Sequence, residues 1–349
     1  MYKKFFMGIA AIAALTLVSC SSDDLNSLSD NSSKNEAISF DGYLGRSAVA
    51  VNGSRGSVLD KTALQNSTEG FGVFGSYNTG GQNFGFNLFN NEKVTYDASA
   101  ETPAWKYSPL KYWPTEGHID FLAYAPRVDK KQLNGSSIDF TVEGEAANQK
   151  DLLWANAIGQ TKKNGKVTFK FNHALSRLGY TVKLNDAYSD VTIKLNKITL
   201  AGSSDGKGTN KAFYKTGTID LSYTSSTTSP TTSLWKPSEE KQDFEWYSGD
   251  DQLSKTSAVD NPTTKYLFVI PQKFSASATD QLYVIVNYTI TYSDGTSVNT
   301  KVYKQLEKDF EQGKAYTINL TIGLTPIEFD ADVTPWDPTT GTAIDASWN

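Results

Sequence analysis

Apolar and polar residues alternate along most of this chain from residue 38 onward. The period is two, as in strands whose successive side chains face opposite ways. In "AISFDGYL", Ile38 and Phe40 share a face. In "GFGVFGSY", Phe71 and Val73 share one, with Phe74 on the other. "HIDFLAYAP" sets Ile119, Phe121 and Ala123 against Leu122 and Tyr124, and "GKVTFKFNH" groups Val167, Phe169 and Phe171. "VTIKLNKITLAG" groups Val191, Ile193 and Leu195. "KYLFVIPQ" and "QLYVIVNYTITYSDGT" are apolar on both faces, as central strands are. The second ends in Ser293-Asp294-Gly295-Thr296, a hairpin turn from which "SVNTKVYKQL" returns. "AYTINLTIGL" and "PIEFDADVTPW" follow. No amphipathic helical pattern exceeds about three turns. The pattern predicts an all-β chain of sandwich-like domains.

Length allows two such domains. The polar, Gly-containing "ANAIGQTKKNG" places the boundary between 165 and 166, giving an N-terminal sandwich over 37–165 and a C-terminal one over 166–349. No internal repeat stands out. Composition fits this picture, with 18 Tyr, 18 Phe and 7 Trp to fill half-buried strand positions. The net charge of -5 is spread without a long run, so there is no basic footprint for nucleic acid.

The one cysteine, Cys20, lies outside the strand region. Lys3 and Lys4 precede an apolar run from Phe5 to Val18, too short to span a bilayer but suited to a signal peptide. Leu17-Val18-Ser19-Cys20 has the form of a lipobox, which predicts removal of residues 1–19 and acylation of Cys20. Ser21-Ser22-Asp23-Asp24 resembles the acidic export tag of Bacteroidales lipoproteins. Residues 20–36 read as a flexible tether.

Candidate chemistry is sparse. The two histidines, His118 and His173, would need carboxylates from distant loops to hold zinc, so no metal, cofactor or catalytic residue is assigned. His173 is expected to bond a backbone group. No nucleophile elbow, P-loop or dinucleotide fingerprint occurs. Trp105, Tyr107, Tyr112 and Trp113 are expected to pack in a core.

Five longer words run in order through the chain. They are "WKYSPLKYWPTEGHIDFLAYAP" (Trp105 to Pro126), "QKDLLWA" (Gln149 to Ala155), "VTFKFNHALSRLGYTV" (Val167 to Val182), "YLFVIPQ" (Tyr266 to Gln272), and "FEQGKAYTINLTI" with "VTPW" (Phe310 to Trp336). Behind a lipobox, they resemble the fimbrillin family of Bacteroidales, the type V pilins and their relatives. The resemblance implies two transthyretin-like β-sandwich domains in tandem. It also implies export as a lipoprotein to the cell outer membrane and assembly into an adhesive surface fimbria, with no enzymatic activity. Its implied partners are other pilin subunits, a maturation protease, and the outer membrane through the lipid before processing. In stalk and tip members an Arg-specific protease removes the first strand, and a strand from a neighbouring subunit fills the groove; anchor members are not cut.

Within "AISFDGYLGRSAVAVNGSRGSV", Arg55 is the candidate cleavage site and Arg46 the second choice, so that 37–55 would be lost on maturation. For the donor, residues 325–336 alternate Ile327, Phe329, Ala331 and Val333 with Glu328, Asp330 and Asp332. The same segment reads equally well as the last strand of its own domain. A second functional reading is a lipid-anchored glycan-binding protein, with Trp235, Trp246 and Tyr247 as the stacking platform.

Overall fold

The computed structural model describes residues 36–44, 59–102, 104–224, 234–260 and 266–324, and the backbone of 328–335. The first strands are β1 (Phe40–Leu44), β2 (Phe71–Asn78), β3 (Phe89–Asp97), β4 (Ala104–Lys106), β5 (His118–Ala125), β6 (Ser137–Thr141), β7 (Leu153–Gln160) and β8 (Val167–His173). All but β6 form one seven-stranded sheet, in the order β1-β8-β7-β5-β2-β3-β4. A short helix, α1 (Lys61–Asn66), precedes β2, capped by Asp60, whose side chain accepts the Ala63 N–H at 2.6 Å.

The central strands of this sheet are buried on both faces because a core lies on each side. One core joins Phe71, Val73, Ile119 and Phe121 to Val167, Phe169 and Phe171 of β8. The other takes Phe74, Leu122, Tyr124 and Trp154 and continues through the second half of the chain. A strand that serves as a wall between two cores cannot show apolar-in, polar-out alternation. β8 sits nearer the edge and does alternate, with Val167, Phe169, Phe171 and His173 buried and Thr168, Lys170 and Asn172 exposed.

The second half contributes β9 (Ser176–Leu184), β10 (Val191–Ala201), β11 (Phe213–Tyr214), β12 (Thr216–Asp220), β13 (Trp235–Pro237), β14 (Lys241–Gln242) and β15 (Phe244–Gln252). Then follow β16 (Val259–Asp260), β17 (Leu267–Val269), β18 (Gln272–Lys273), β19 (Tyr283–Tyr292), β20 (Ser297–Gln305), β21 (Asp309–Phe310), β22 (Lys314–Ile322) and β23 (Glu328–Pro335). The sheets β15-β10-β19-β20 and β16-β9-β22-β23 share the larger core. β9 and β22 run parallel, while β23 lies antiparallel on the outer edge of β22. The β19–β20 hairpin turns at the expected Asp-Gly, with Gly295 at φ 87°.

The all-β class expected from alternation is the one the chain adopts. The expected break at 165/166, however, falls between β7 and β8, two neighbours of one sheet. Residues 162–165 are a capped turn there, with Thr161 and Asn164 bonded to each other and Gly165 at φ 67°. A polar, Gly-bearing stretch suits a tight turn as well as a linker. The chain passes to the second sheet at Ala174 and Leu175, where the Trp235 indole N–H donates to the Ala174 carbonyl at 2.7 Å. The halves are also joined by β6, which pairs with β12 from Ser137↔Asp220 to Thr141↔Thr216.

Candidate functional site

Residues 36–44 form a ribbon laid into the edge of the first core. Alternation decides which side chains enter: Ile38, Phe40 and Gly42 are buried, Leu44 is half-buried, and Ser39, Asp41 and Tyr43 face outward. β1 runs parallel to β8 in the register Phe40↔Val167 to Leu44↔Phe171. The ladder continues backward through the Val167 N–H, which donates to the Ser39 carbonyl at 2.9 Å.

Ahead of β1 the ribbon is clamped on its other side by residues 111–113. The Ile38 N–H donates to the Lys111 carbonyl at 2.8 Å, and the Trp113 N–H to the Glu36 carbonyl at 3.1 Å. The Tyr107 hydroxyl donates to the Ile38 carbonyl at 2.8 Å. Burial pushes the Tyr107 phenol above its ordinary pKa, so it stays a donor through neutral pH. Lys111 is itself held, with Nζ 2.9 Å from Glu92 Oε2 and 4.5 Å from the centre of the Phe89 ring.

Phe40 is the anchor, only 2% exposed. Its ring meets those of Phe89, Tyr107, Phe121 and Phe169, with centroids 5.5, 5.2, 5.5 and 5.6 Å away. Burying Ile38 and Phe40 contributes about 1.5–3 kcal/mol each. At Gly42 the groove narrows: a Cβ there would stand 3.2 Å from Cε2 of Phe171 and 3.5 Å from Cε1 of Phe71. A methyl fits if a ring yields by a few tenths of an ångström, and a larger side chain does not. The groove therefore accepts an extended segment with a large apolar residue, an aromatic, a small residue and an aliphatic at every second place. Recognition of this kind combines backbone hydrogen bonds with side-chain pockets.

Cys20, Arg46, Arg55 and Ile327 lie outside the described residues. The chain is next described at Leu59, whose N–H donates to the buried Asp151 carboxylate at 3.2 Å. Of the remaining donor positions, Phe329, Ala331 and Val333 have their backbone in β23, opposite Leu320, Ile318 and Tyr316 of β22. The segment thus occupies the place of a last strand in its own second sandwich. Trp105 and Trp113 are buried in the first core as expected, whereas Tyr112 is 48% exposed.

His173 departs from expectation. Its Nδ1 lies 2.7 Å from Asp151 Oδ2, a carboxylate rather than a backbone group. Asp151 is 22 residues away in sequence and reaches His173 only because β7 and β8 pair. The glycan platform fares poorly. Trp235 and Trp246 are 4% and 2% exposed, and Trp246 is T-packed against Tyr180 at 4.9 Å. A cavity of about 660 Å³ adjoins Tyr214, Trp235, Lys273 and Asp309, but Trp235 turns its N–H inward to Ala174 there. Among the described residues no group of three or more His, Cys, Asp or Glu could hold a metal ion, and no helix is long and apolar enough to cross a membrane.

The reading of the sequence missed the clamp. Tyr107 and Lys111 stand in an aromatic, Pro-rich corner whose partner is some 70 residues upstream, and local pattern carries no sign of that contact.

Comparison with known proteins yields one decisive match. No curated protein matches the chain by sequence. Among solved structures, a Bacteroides ovatus protein put forward as a cell adhesion protein aligns over 87% of this chain and 98% of its own, with 14% identity and a TM-score of 0.48. A Bacteroides uniformis protein put forward for the same role aligns over 86% and 98%, with 16% identity and a TM-score of 0.45. The fimbrial anchor protein Mfa2 of Porphyromonas gingivalis aligns over 87% and 98%, with 9% identity and a TM-score of 0.34. The sequence profile of the fimbrillin-like family spans residues 58–336, most of the chain, and the chain belongs to that family.

Proposed function

We propose that this chain is a structural, non-enzymatic subunit of a cell-surface fimbria. It is exported as a lipoprotein through Cys20, displayed at the outer membrane, and assembled with other subunits after its first strand is cut away. The observation that carries this reading is the seating of residues 36–44. They fill a groove in the first core, bonded on both sides, and are followed by a segment bearing Arg46 and Arg55. Cutting there leaves the ribbon held by non-covalent contacts alone. Its loss opens an apolar trough lined with unpaired backbone, which an added strand repairs.

The donor in this reading is residues 325–336. Among the described residues β23 pairs only with β22, at a sheet edge, so releasing it breaks that set of strand bonds. The glycan-binding alternative loses its support with the burial of Trp235 and Trp246. An uncut, lipid-retaining anchor shares the fold and differs only in the fate of the N-terminus.

The test is the double substitution Arg46→Ala with Arg55→Ala. The expected outcome is a folded, exported monomer that does not polymerise. Fibres at normal levels from the double variant would overturn Arg-dependent maturation.

A further inference from the structure

Two cavities meet at β13 and share its residues Lys236 and Pro237. The one of about 660 Å³ has an apolar floor that includes Trp235, Pro271 and Phe310. The other, of about 610 Å³, is more polar, with Asp139, Thr141, Thr216, Thr218 and Ser238 in its lining. Among the described residues β13 is an edge strand, paired only with β12. We propose that this edge docks an extended segment of a partner protein whose side chains run apolar, acidic, apolar over three residues. The site uses none of the residues that seat β1, so it stands or falls apart from the strand-exchange reading.

The register dictates the pattern. The Asp220 N–H donates to the Leu234 carbonyl and the Ser238 N–H to the Thr216 carbonyl, each at 2.9 Å. In an antiparallel pair such bonded positions alternate with positions whose backbone groups turn to the opposite edge. Leu234, Lys236 and Ser238 therefore bond toward β12, while Trp235 and Pro237 turn their backbone groups away from it. A segment laid antiparallel along that edge exchanges two bonds with Trp235. Opposite Pro237 it can only donate, because proline has no N–H. Trp235 shares a face with Ile219 and Ile138, whereas Lys236 shares the other with Thr218 and Asp139. The two side chains opposite Trp235 and Pro237 thus fall on the apolar side, and the one between them falls beside Lys236. Strand addition combines backbone bonds with pockets for alternate side chains in this way.

The apolar side is firmly built. Phe310 packs against Phe274 and Tyr316, with ring centroids 5.7 and 4.9 Å away. Trp235 is held by its bond to the Ala174 carbonyl. The far wall is fixed through Gln272, which accepts the Tyr214 N–H at 3.1 Å and donates to the Ala212 carbonyl at 2.9 Å. The cavity's volume lies within the range of ordinary ligand sites.

Charge selects the middle residue. Around the apolar side the acidic groups already have partners: Asp309 pairs with Lys273 at 3.0 Å, Asp280 with Lys241 at 3.4 Å and Glu311 with Lys314 at 2.7 Å. Lys236 is exposed and has no ion pair among the described residues. Its row across the sheet runs through Thr218 to Asp139, which stands two strand spacings away, about 10 Å. An acidic side chain on an added strand becomes the direct neighbour of Lys236, and opposite charges so placed attract.

The test is binding of a fluorescein-labelled seven-residue peptide to the full chain, read by fluorescence polarisation. The peptide is polar at both ends and carries valine, glutamate and valine at its centre; a second peptide has lysine in place of the glutamate. The glutamate peptide should bind several-fold more tightly than the lysine peptide. Lys236→Gln should abolish that preference and Lys236→Glu should reverse it. Lys236 is exposed, so both variants should keep the thermal transition of the unaltered chain. A benzophenone in place of either valine should attach to residues of β13 or β21. Equal binding of the two peptides, a preference that Lys236→Glu leaves unchanged, attachment confined to other strands, or no binding at millimolar peptide would overturn the proposal. Binding of an alginate oligosaccharide that depends on Lys236, with no binding of either peptide, would overturn it in favour of an acidic glycan. None of these outcomes depends on fibre formation.

Discussion

Phe40 is the residue on which the first core closes, since four aromatic rings converge on it from β3, β5, β8 and the corner before residue 111. Phe40→Ala leaves a cavity that these rings cannot collapse to fill, because each also packs against others of the set. The expected loss is about 3–5 kcal/mol, read from denaturant unfolding of the uncut chain. A loss near zero would mean that the ribbon contributes little to the fold. Tyr107 makes the same contact pH-sensitive. Burial raises its folded-state pKa above the value near 10 that the free phenol has. The seated state therefore holds the proton more tightly than the released state. Its contribution is fully present below about pH 10 and falls as pH rises through the raised pKa. Protection of the Ile38 region from hydrogen exchange, corrected for intrinsic rate, should hold steady from pH 7 to about pH 10 and then decline. Tyr107→Phe should lessen the decline, and what remains reflects other buried phenols such as Tyr124 and Tyr316.

At the scale of elements, β23 is an edge strand among the described residues and β22 is not. Once β23 is gone, β22 is still paired with β9 along eight positions from Ala315↔Arg177 to Ile322↔Leu184. A chain ending after Leu324 should therefore fold, with a cooperative thermal transition and an unaltered β signature in circular dichroism. It should accept a strand but not donate one, and so appear only at fibre ends. Loss of the cooperative transition would make the segment indispensable to its own core. Elements such as β8 and β22 were legible in the sequence because one face of each is wet and the period of two survives. For the doubly buried β2 and β5 alternation assigned the side chains to two faces, but the place of their sheet between two cores was hidden. The pairing of β6 with β12 and the clamp on Ile38 join residues some 70 or more positions apart. Nothing local announces such contacts, and the turn at 162–165 passed for a domain break for the same reason. Of the site, the inward set Ile38 and Phe40 was readable from alternation. The narrow seat at Gly42 follows from Phe71 and Phe171 meeting behind it, which only the fold reveals.

At the scale of the molecule, the proposed function makes the first strand a resident plug. On that proposal it completes the core during folding and export, when an open apolar groove would invite aggregation, and leaves when the subunit joins others. The seven-stranded sheet walls both cores, so removal of an edge ribbon reaches only one of them. On the same proposal the second sandwich and most of the first sheet stay intact when the strand leaves. The most direct test is the N-terminal sequence and mass of subunits recovered from surface fibres. The account predicts chains that begin at Gly56, or at Ser47 if Arg46 is the residue cut, with no lipid and with residues 36–44 gone. Polymerised subunits that still begin at an acylated Cys20 and retain Ile38 and Phe40 would contradict it.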